Sequence, residues 1–128
     1  MRSNKLDKIL PPMLAEQNGN LWMKFEKAEV YIRVSKRCVG QNETSGLLAY
    51  LYCVQLANII TPEKYEKTGI FTRMVAKIQS MTDLPLYLEN TRNDFAEALI
   101  ARHGWEIVRK DALGQYDLIM YTKEQEQQ

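Results

Sequence analysis

The stretch Gln55-Leu-Ala-Asn-Ile-Ile-Thr-Pro-Glu-Lys-Tyr-Glu-Lys-Thr-Gly-Ile-Phe-Thr72 decides how the chain is read. It begins inside a long apolar run, Leu47 to Thr61, whose Leu, Tyr, Val and Ile content argues for a buried strand that Pro62 ends. A polar loop follows and turns through Thr68-Gly69 directly into an amphipathic helix. The first turn of a helix presents backbone N–H groups with no intrahelical partner, and the helix dipole adds partial positive charge, so a pyrophosphate fits there without any side chain. Gly69 allows close approach to such a group, and Lys67 adds charge beside it.

On the C-terminal side, Ile70, Phe71, Met74, Val75, Ile78 and Met81 recur every three or four residues and form one apolar helical stripe that stops before Pro85. Leu84 to Leu88 reads as a short buried strand. A second helix is predicted over Asn93 to His103, with Thr91 or Asn93 as the capping oxygen and Gly104 as the left-handed stop. Trp105 to Arg109 and Tyr116 to Tyr121 are two strands joined by Asp111-Ala-Leu-Gly114 as a hairpin. A strand, a helix and a strand in succession must run their strands parallel, because the helix returns the chain to its starting edge.

On the N-terminal side, Val30, Ile32 and Val34 alternate with Tyr31, Arg33 and Ser35, which predicts a half-buried strand over Trp22 to Val39. Gly40 to Gly46 is a polar turn leading into the long strand. Residues 3–18 carry Leu6, Ile9, Leu10, Met13 and Leu14 at helical spacing. Pro11-Pro12 removes two backbone donors there, predicting a short helix, a break and a second turn. The expected class is therefore α+β: a mixed sheet made of an antiparallel meander, then strand-helix-strand-helix and a C-terminal hairpin. The expected organisation is a helical segment at 1–20, a core domain at 21–123 and a polar, disordered tail at 124–128.

With 128 residues and 45% apolar content the chain holds material for one continuous core. Its 17 basic and 16 acidic residues nearly cancel, so no overall field draws it to nucleic acid or an anionic membrane. Cys38 and Cys53 lack the spacing of metal ligands or of a redox pair and read as reduced core thiols. The N-terminus has no apolar signal region and no run is long enough to span a bilayer, which predicts a cytoplasmic protein.

The run Asn93-Asp-Phe-Ala96-Glu-Ala-Leu-Ile100-Ala-Arg-His-Gly104-Trp105 resembles the second signature of the GNAT superfamily of N-acetyltransferases. Asn93, Ala96, Gly104 and Trp105 match it, and Ile100 stands where the family commonly has Tyr. The loop Glu66-Lys-Thr-Gly69-Ile-Phe71 is similar to the family's pyrophosphate loop at Gly69 and departs from it at Glu66 and Phe71. The resemblance runs from about Val30 to Tyr121, and the missing N-terminal helices make the chain look like short, phage- or virus-encoded members. It implies acetyl-CoA as cofactor and central parallel strands, Val54 to Thr61 and Leu84 to Glu89, that splay around the pantetheine arm. Cofactor contacts would fall to Ile59, Ile60 and Thr61, to Lys67, Thr68, Gly69, Ile70 and Phe71 with the Thr72 hydroxyl, and to Asn93, which serves equally well as a plain helix cap. An amine on a protein or small molecule would be the acceptor, with a second copy of the chain or a macromolecular partner completing the groove.

The departures bear on mechanism. Ile100 cannot donate a proton, and Gln55 and Asn58, in the region where the family's base commonly stands, cannot accept one at neutral pH. Glu63 and Tyr65 in the loop, and Tyr52 on the strand, are the candidate catalytic groups, with Glu66 and Tyr50 nearby. Proximity alone supports much of an acyl transfer. The alternative reading is a GNAT-fold binding module that has lost its acid and base and acts on a macromolecular partner, host-directed if phage-encoded; a third is a generic interaction domain. His103 fits the last turn of its helix as a dipole-favoured cation, Tyr50 and Tyr52 fit ordinary strand positions, and Trp22 and Trp105 fit core or rim packing.

Overall fold

Among the described residues, alternating apolar side chains on five of the six strands face three helices that all lie on one side of a single sheet. The computed structural model describes residues 5–41, 43–61 and 68–121, apart from the side chains of Gln41 and Asn93. The elements are α1 (Leu6–Glu16), β1 (Asn20–Phe25), β2 (Ala28–Gln41), β3 (Leu48–Ile60), α2 (Ile70–Gln79), β4 (Leu86–Thr91), α3 (Asn93–His103), β5 (Glu106–Lys110) and β6 (Tyr116–Met120). The sheet runs β1-β2-β3-β4-β6-β5. The β3–β4 pair is parallel and the other pairs are antiparallel, so the class is α+β with a mixed sheet.

The core lies under the helices. Leu6 and Leu10 of α1, Ile70, Met74 and Ile78 of α2, and Ala96 and Leu99 of α3 bury against Val30, Ile32, Val34, Val54, Leu56, Leu86, Leu88 and Leu118. Period-two alternation sends the intervening residues of the same strands to the opposite face. There, among the described residues, a small cluster of Cys53, Tyr87 and Ile119 is fully buried and apolar.

Four expectations are corrected. First, α1 is one continuous helix with Pro11 and Pro12 inside it. Both prolines are exposed, while Leu6 and Leu10 on the inner face are 1% and 0% exposed. The carbonyls of Asp7 and Lys8, which the prolines leave without an N–H, belong to exposed residues, so burial of the leucines outweighs the lost bonds. Second, the strand expected over Trp22 to Val39 is two strands, β1 and β2, reversed at Glu26-Lys27. Glu26 takes φ 54, and nothing local in its side chain signals that turn. Third, Thr91 does not cap α3: it lies buried at the end of β4 and the N-cap position is Arg92, while the Asn93 side chain lies outside the described residues. Fourth, the strand expected at Leu84 to Leu88 begins two residues later, at Leu86, and continues to Thr91.

Other expectations match in detail. α3 spans Asn93–His103 and stops at Gly104 with φ 75. The stripe on α2 buries Ile70, Met74, Val75 and Ile78. Both cysteines are free thiols; Cys53 is a buried core thiol as expected, whereas Cys38 is only half-buried and lies outside the core clusters.

Candidate cofactor cleft and polar sheet face

α2 opens at Gly69, whose φ of 84 and ψ of 11 place it in the left-handed region. A side chain is disfavoured there by the backbone and by space, since a Cβ would lie 3.0 Å from Arg73 Nη1. Arg73 braces this corner. Its Nη1 donates to Thr68 O at 2.8 Å, while Nε and Nη2 each donate to Glu26 at 2.7 Å. The hydrogen bonds from Arg73, more than its charge, hold the Glu26 carboxyl below the usual carboxylate range. One guanidinium thus joins the start of α2 to the β1–β2 turn.

Beside this helix mouth, β3 and β4 part. Their parallel register covers Val54↔Leu86, Gln55↔Tyr87 and Leu56↔Leu88 and then stops. Each strand is irregular immediately past that point. On β3 the register jumps from Leu56↔Ile32 to Asn58↔Tyr31, which leaves Ala57 as an inserted residue. On β4 it jumps from Leu88↔Leu118 to Thr91↔Tyr116, so Glu89 and Asn90 together oppose Asp117. A bulge bends its strand and breaks its ladder, and two of them placed at one level turn neighbouring strands apart. The insertion at Ala57 also changes parity. Ile59, rather than Ile60, packs against the core under the helices, and Ile60 is exposed.

The opposite face carries a charged network at the same level. Arg33 and Arg37 of β2 reach across β3 to Glu89 of β4, at 3.2 and 2.9 Å. Asp117 of β6 is 2% exposed and accepts from Tyr87 Oη at 2.6 Å, Arg109 Nε at 3.0 Å and Arg37 Nη2 at 3.5 Å on Oδ2, and from the Asn90 amide at 3.0 Å on Oδ1. Burial, with the bond to Asp117 adding to it, pushes the Tyr87 hydroxyl up to about 12, so it stays a donor at neutral pH. Burial likewise pushes the Cys53 thiol up to about 12 and leaves it without thiolate character.

Gln55 lies within this face, fully buried. Its Nε2 donates to Ser35 O at 3.3 Å and Ser35 Oγ at 2.5 Å, and its Oε1 has no partner among the described residues. Because a main-chain carbonyl can only accept, the contact with Ser35 O sets which end of the amide is the nitrogen.

No family model matches the chain, and no curated protein matches it. Among solved structures it is similar to a chain described as "The crystal structure of KacTA-DNA complex", at 16% identity, over 94% of this chain and 83% of that one, with a TM-score of 0.47. So distant a likeness carries no argument about function.

Of the residues singled out from the sequence, Ile59, Ile60 and Thr61 lie on or just past the diverging end of β3, and Thr68, Gly69, Ile70, Phe71 and Thr72 form the entry to α2. The Ile70 side chain is in the core, and Phe71 packs edge-on against Phe95 with centroids 5.2 Å apart. Thr72 is exposed. The backbone of Asn93 opens α3, and its side chain is outside the described residues, as are Glu63, Tyr65, Glu66 and Lys67. Tyr52 is half-buried with Lys36 Nζ 5.3 Å from its ring centroid. Alternation puts it on the helix-bearing face of β3, away from the Gln55 network. Ile100 is partly buried against the core.

Sequence reasoning passed over Tyr87, Glu89, Arg109 and Asp117, and it takes Arg37, with Lys36, as a solvated charge, whereas Arg37 is partly buried and pairs with Glu89 and Asp117. One signal was readable: Asp117 is the single charge in the strand Tyr-Asp-Leu-Ile-Met, and a carboxylate inside an apolar strand calls for partners.

Proposed function

We propose that this chain is an acetyl-CoA-dependent N-acetyltransferase of the GNAT type, acting on an amine of a protein or small molecule. The observation that carries the reading is the coincidence of three features: the parting of β3 from β4 after Leu56↔Leu88, a bulge on each strand at that level, and the uncapped glycine entry to α2. The residues fit the cofactor. Backbone groups of β3 past Ala57 face the gap as partners for an amide-rich arm, and the α2 entry from Gly69 to Thr72 suits a diphosphate. Together with Asn93, Ala96, Gly104 and Trp105 at the family spacing, these features support a splayed GNAT-like sheet.

Bound there, the cofactor supplies an acetyl thioester. Transfer would join the acetyl carbon to the acceptor nitrogen and release coenzyme A as the thiol, the proton lost by nitrogen going to the departing sulfur. The chain contributes position. Gln55 stands at the second of the three parallel pairs, and its Oε1 is buried without a partner among the described residues, beside the point where the strands part. Tyr87 keeps its proton at neutral pH, but it is committed to Asp117.

Thermal unfolding with and without acetyl-CoA tests the cofactor site, because a ligand that binds only the folded state raises the midpoint. The expected result is a shift that Gly69→Val abolishes. No shift at high excess would remove the proposal. A second reading, a binding module without turnover, is favoured by Ile100, which is packed against the core and cannot donate. Thiol release with a panel of amines and lysine-bearing proteins separates the two: cofactor binding without release on every acceptor selects the module.

A further inference from the structure

On the sheet face that bears no helix, a groove of about 540 Å³ runs beside the charged network. That is within the usual size range of small-molecule sites. Its lining includes Lys36, Arg37, Arg109, Tyr87, Leu48 and Val108, and no Asp or Glu among the described residues. Asp117 beneath it is saturated, since its Oδ2 already accepts from Tyr87, Arg109 and Arg37. Arg109, with a side chain 67% exposed, spends Nε on Asp117, and among the described residues both Nη groups are left for another acceptor. Across the network Arg33, Arg37 and Arg109 face Glu89 and Asp117, three cations against two anions.

We propose that this groove binds a small anionic group, a carboxylate or a phosphate monoester, between Arg37 and Arg109, with Leu48 and Val108 receiving the apolar part of the same molecule. Asp117 Oδ2 fixes Arg37 and Arg109 side by side, and the Nη groups of Arg109 present the donors that an oxyanion takes up, with the Arg37 charge beside them. Tyr87 ties the groove to the cleft. It lines the groove and is the register partner of Gln55, one pair before β3 and β4 part. The ligand is thereby the acceptor, an amine that carries an acidic group. This last assignment rests on the transferase reading, whereas the anion site stands on the groove alone.

The test follows the Nε–H signals of Arg37 and Arg109 by NMR in the ¹⁵N-labelled full chain without cofactor, assigned with Arg37→Lys and Arg109→Lys. Inorganic phosphate and acetate are titrated separately against sodium chloride at matched ionic strength. Both signals move saturably with phosphate or acetate, the tighter of the two naming the group. Arg109→Gln weakens binding about tenfold, as loss of one charge-assisted bond should. Linear drift equal to that in chloride, or unchanged affinity in folded Arg109→Gln, overturns the site. A second arm supplies acetyl-CoA and compares phosphoethanolamine with ethanolamine, and β-alanine with propylamine. The acidic member of the matching pair is favoured in kcat/KM, and Arg109→Gln removes the preference. Saturable anion binding with no amine acetylated sinks the transferase reading and leaves the anion site standing. Turnover with no preference for the acidic amines overturns the acceptor assignment.

Discussion

Asp117 Oδ1 accepts the backbone amide of Asn90 at 3.0 Å, so a buried carboxylate on β6 holds the residue that bends β4 away from β3. Asn90 has φ 50, a left-handed conformation in which its N–H leaves the ladder and needs a new partner. Asp117 supplies one, and its second oxygen gathers Tyr87, Arg109 and Arg37 at the same level. The widening of the sheet and the charged face therefore share one anchor.

Replacing that anchor separates its two roles. Asp117→Asn keeps an oxygen for the Asn90 amide and loses the charge. Asp117→Leu also leaves the buried Tyr87 hydroxyl and the Asn90 amide unpaired. Urea unfolding is expected to show a loss of about 1–3 kcal/mol for the first and about 3–5 kcal/mol for the second. Equal losses would mean that Asp117 does not pin the bulge.

At Asn90 itself the backbone conformation is the constraint. Asn90→Gly should leave stability near the parent value, whereas Asn90→Val, β-branched at positive φ, should cost about 1–2 kcal/mol. If the bend shapes a cofactor cleft, the midpoint shift given by acetyl-CoA shrinks in Asn90→Val and persists in Asn90→Gly.

Tyr87 predicts an alkaline limit. Its hydroxyl, pushed up to about 12 by burial and by Asp117, lies above the ordinary tyrosine value of 10.0 that the unfolded chain shows. The neutral form therefore favours folding fully below about 10, and this contribution is lost as pH rises towards about 12. Ultraviolet titration should show a late-ionising tyrosine that Tyr87→Phe removes, and the fall of stability over that window should flatten in the variant.

The helix with two prolines offers a paired test. Leu10→Ala empties a fully buried position and should cost about 2–5 kcal/mol if α1 belongs to the common core. Pro11→Ala and Pro12→Ala restore backbone donors on the exposed side and should raise stability, by at most about 3 kcal/mol each. A Leu10→Ala variant that unfolds at the same urea concentration as the parent would show α1 to be peripheral.

Local patterns determined a good part of this molecule. The three-to-four spacing from Ile70 to Met81, the bounds of α3 with Gly104 as its stop, the C-terminal hairpin and the parallel β3–α2–β4 unit follow from periodicity, turn chemistry and the return path of a helix, each legible within a few residues. Other features depend on partners far along the chain. The reversal at Glu26-Lys27 has no glycine or proline to announce it and is braced by Arg73, 47 residues on. The continuity of α1 through Pro11-Pro12 rests on what Leu6 and Leu10 bury against. The polar face joins Arg37 to Asp117 across 80 residues, and only the strand order β2-β3-β4-β6 makes them neighbours. Short-range sterics and hydrophobic period are written in consecutive residues. The worth of a charge, or of a bent strand, is decided by what the finished sheet sets beside it.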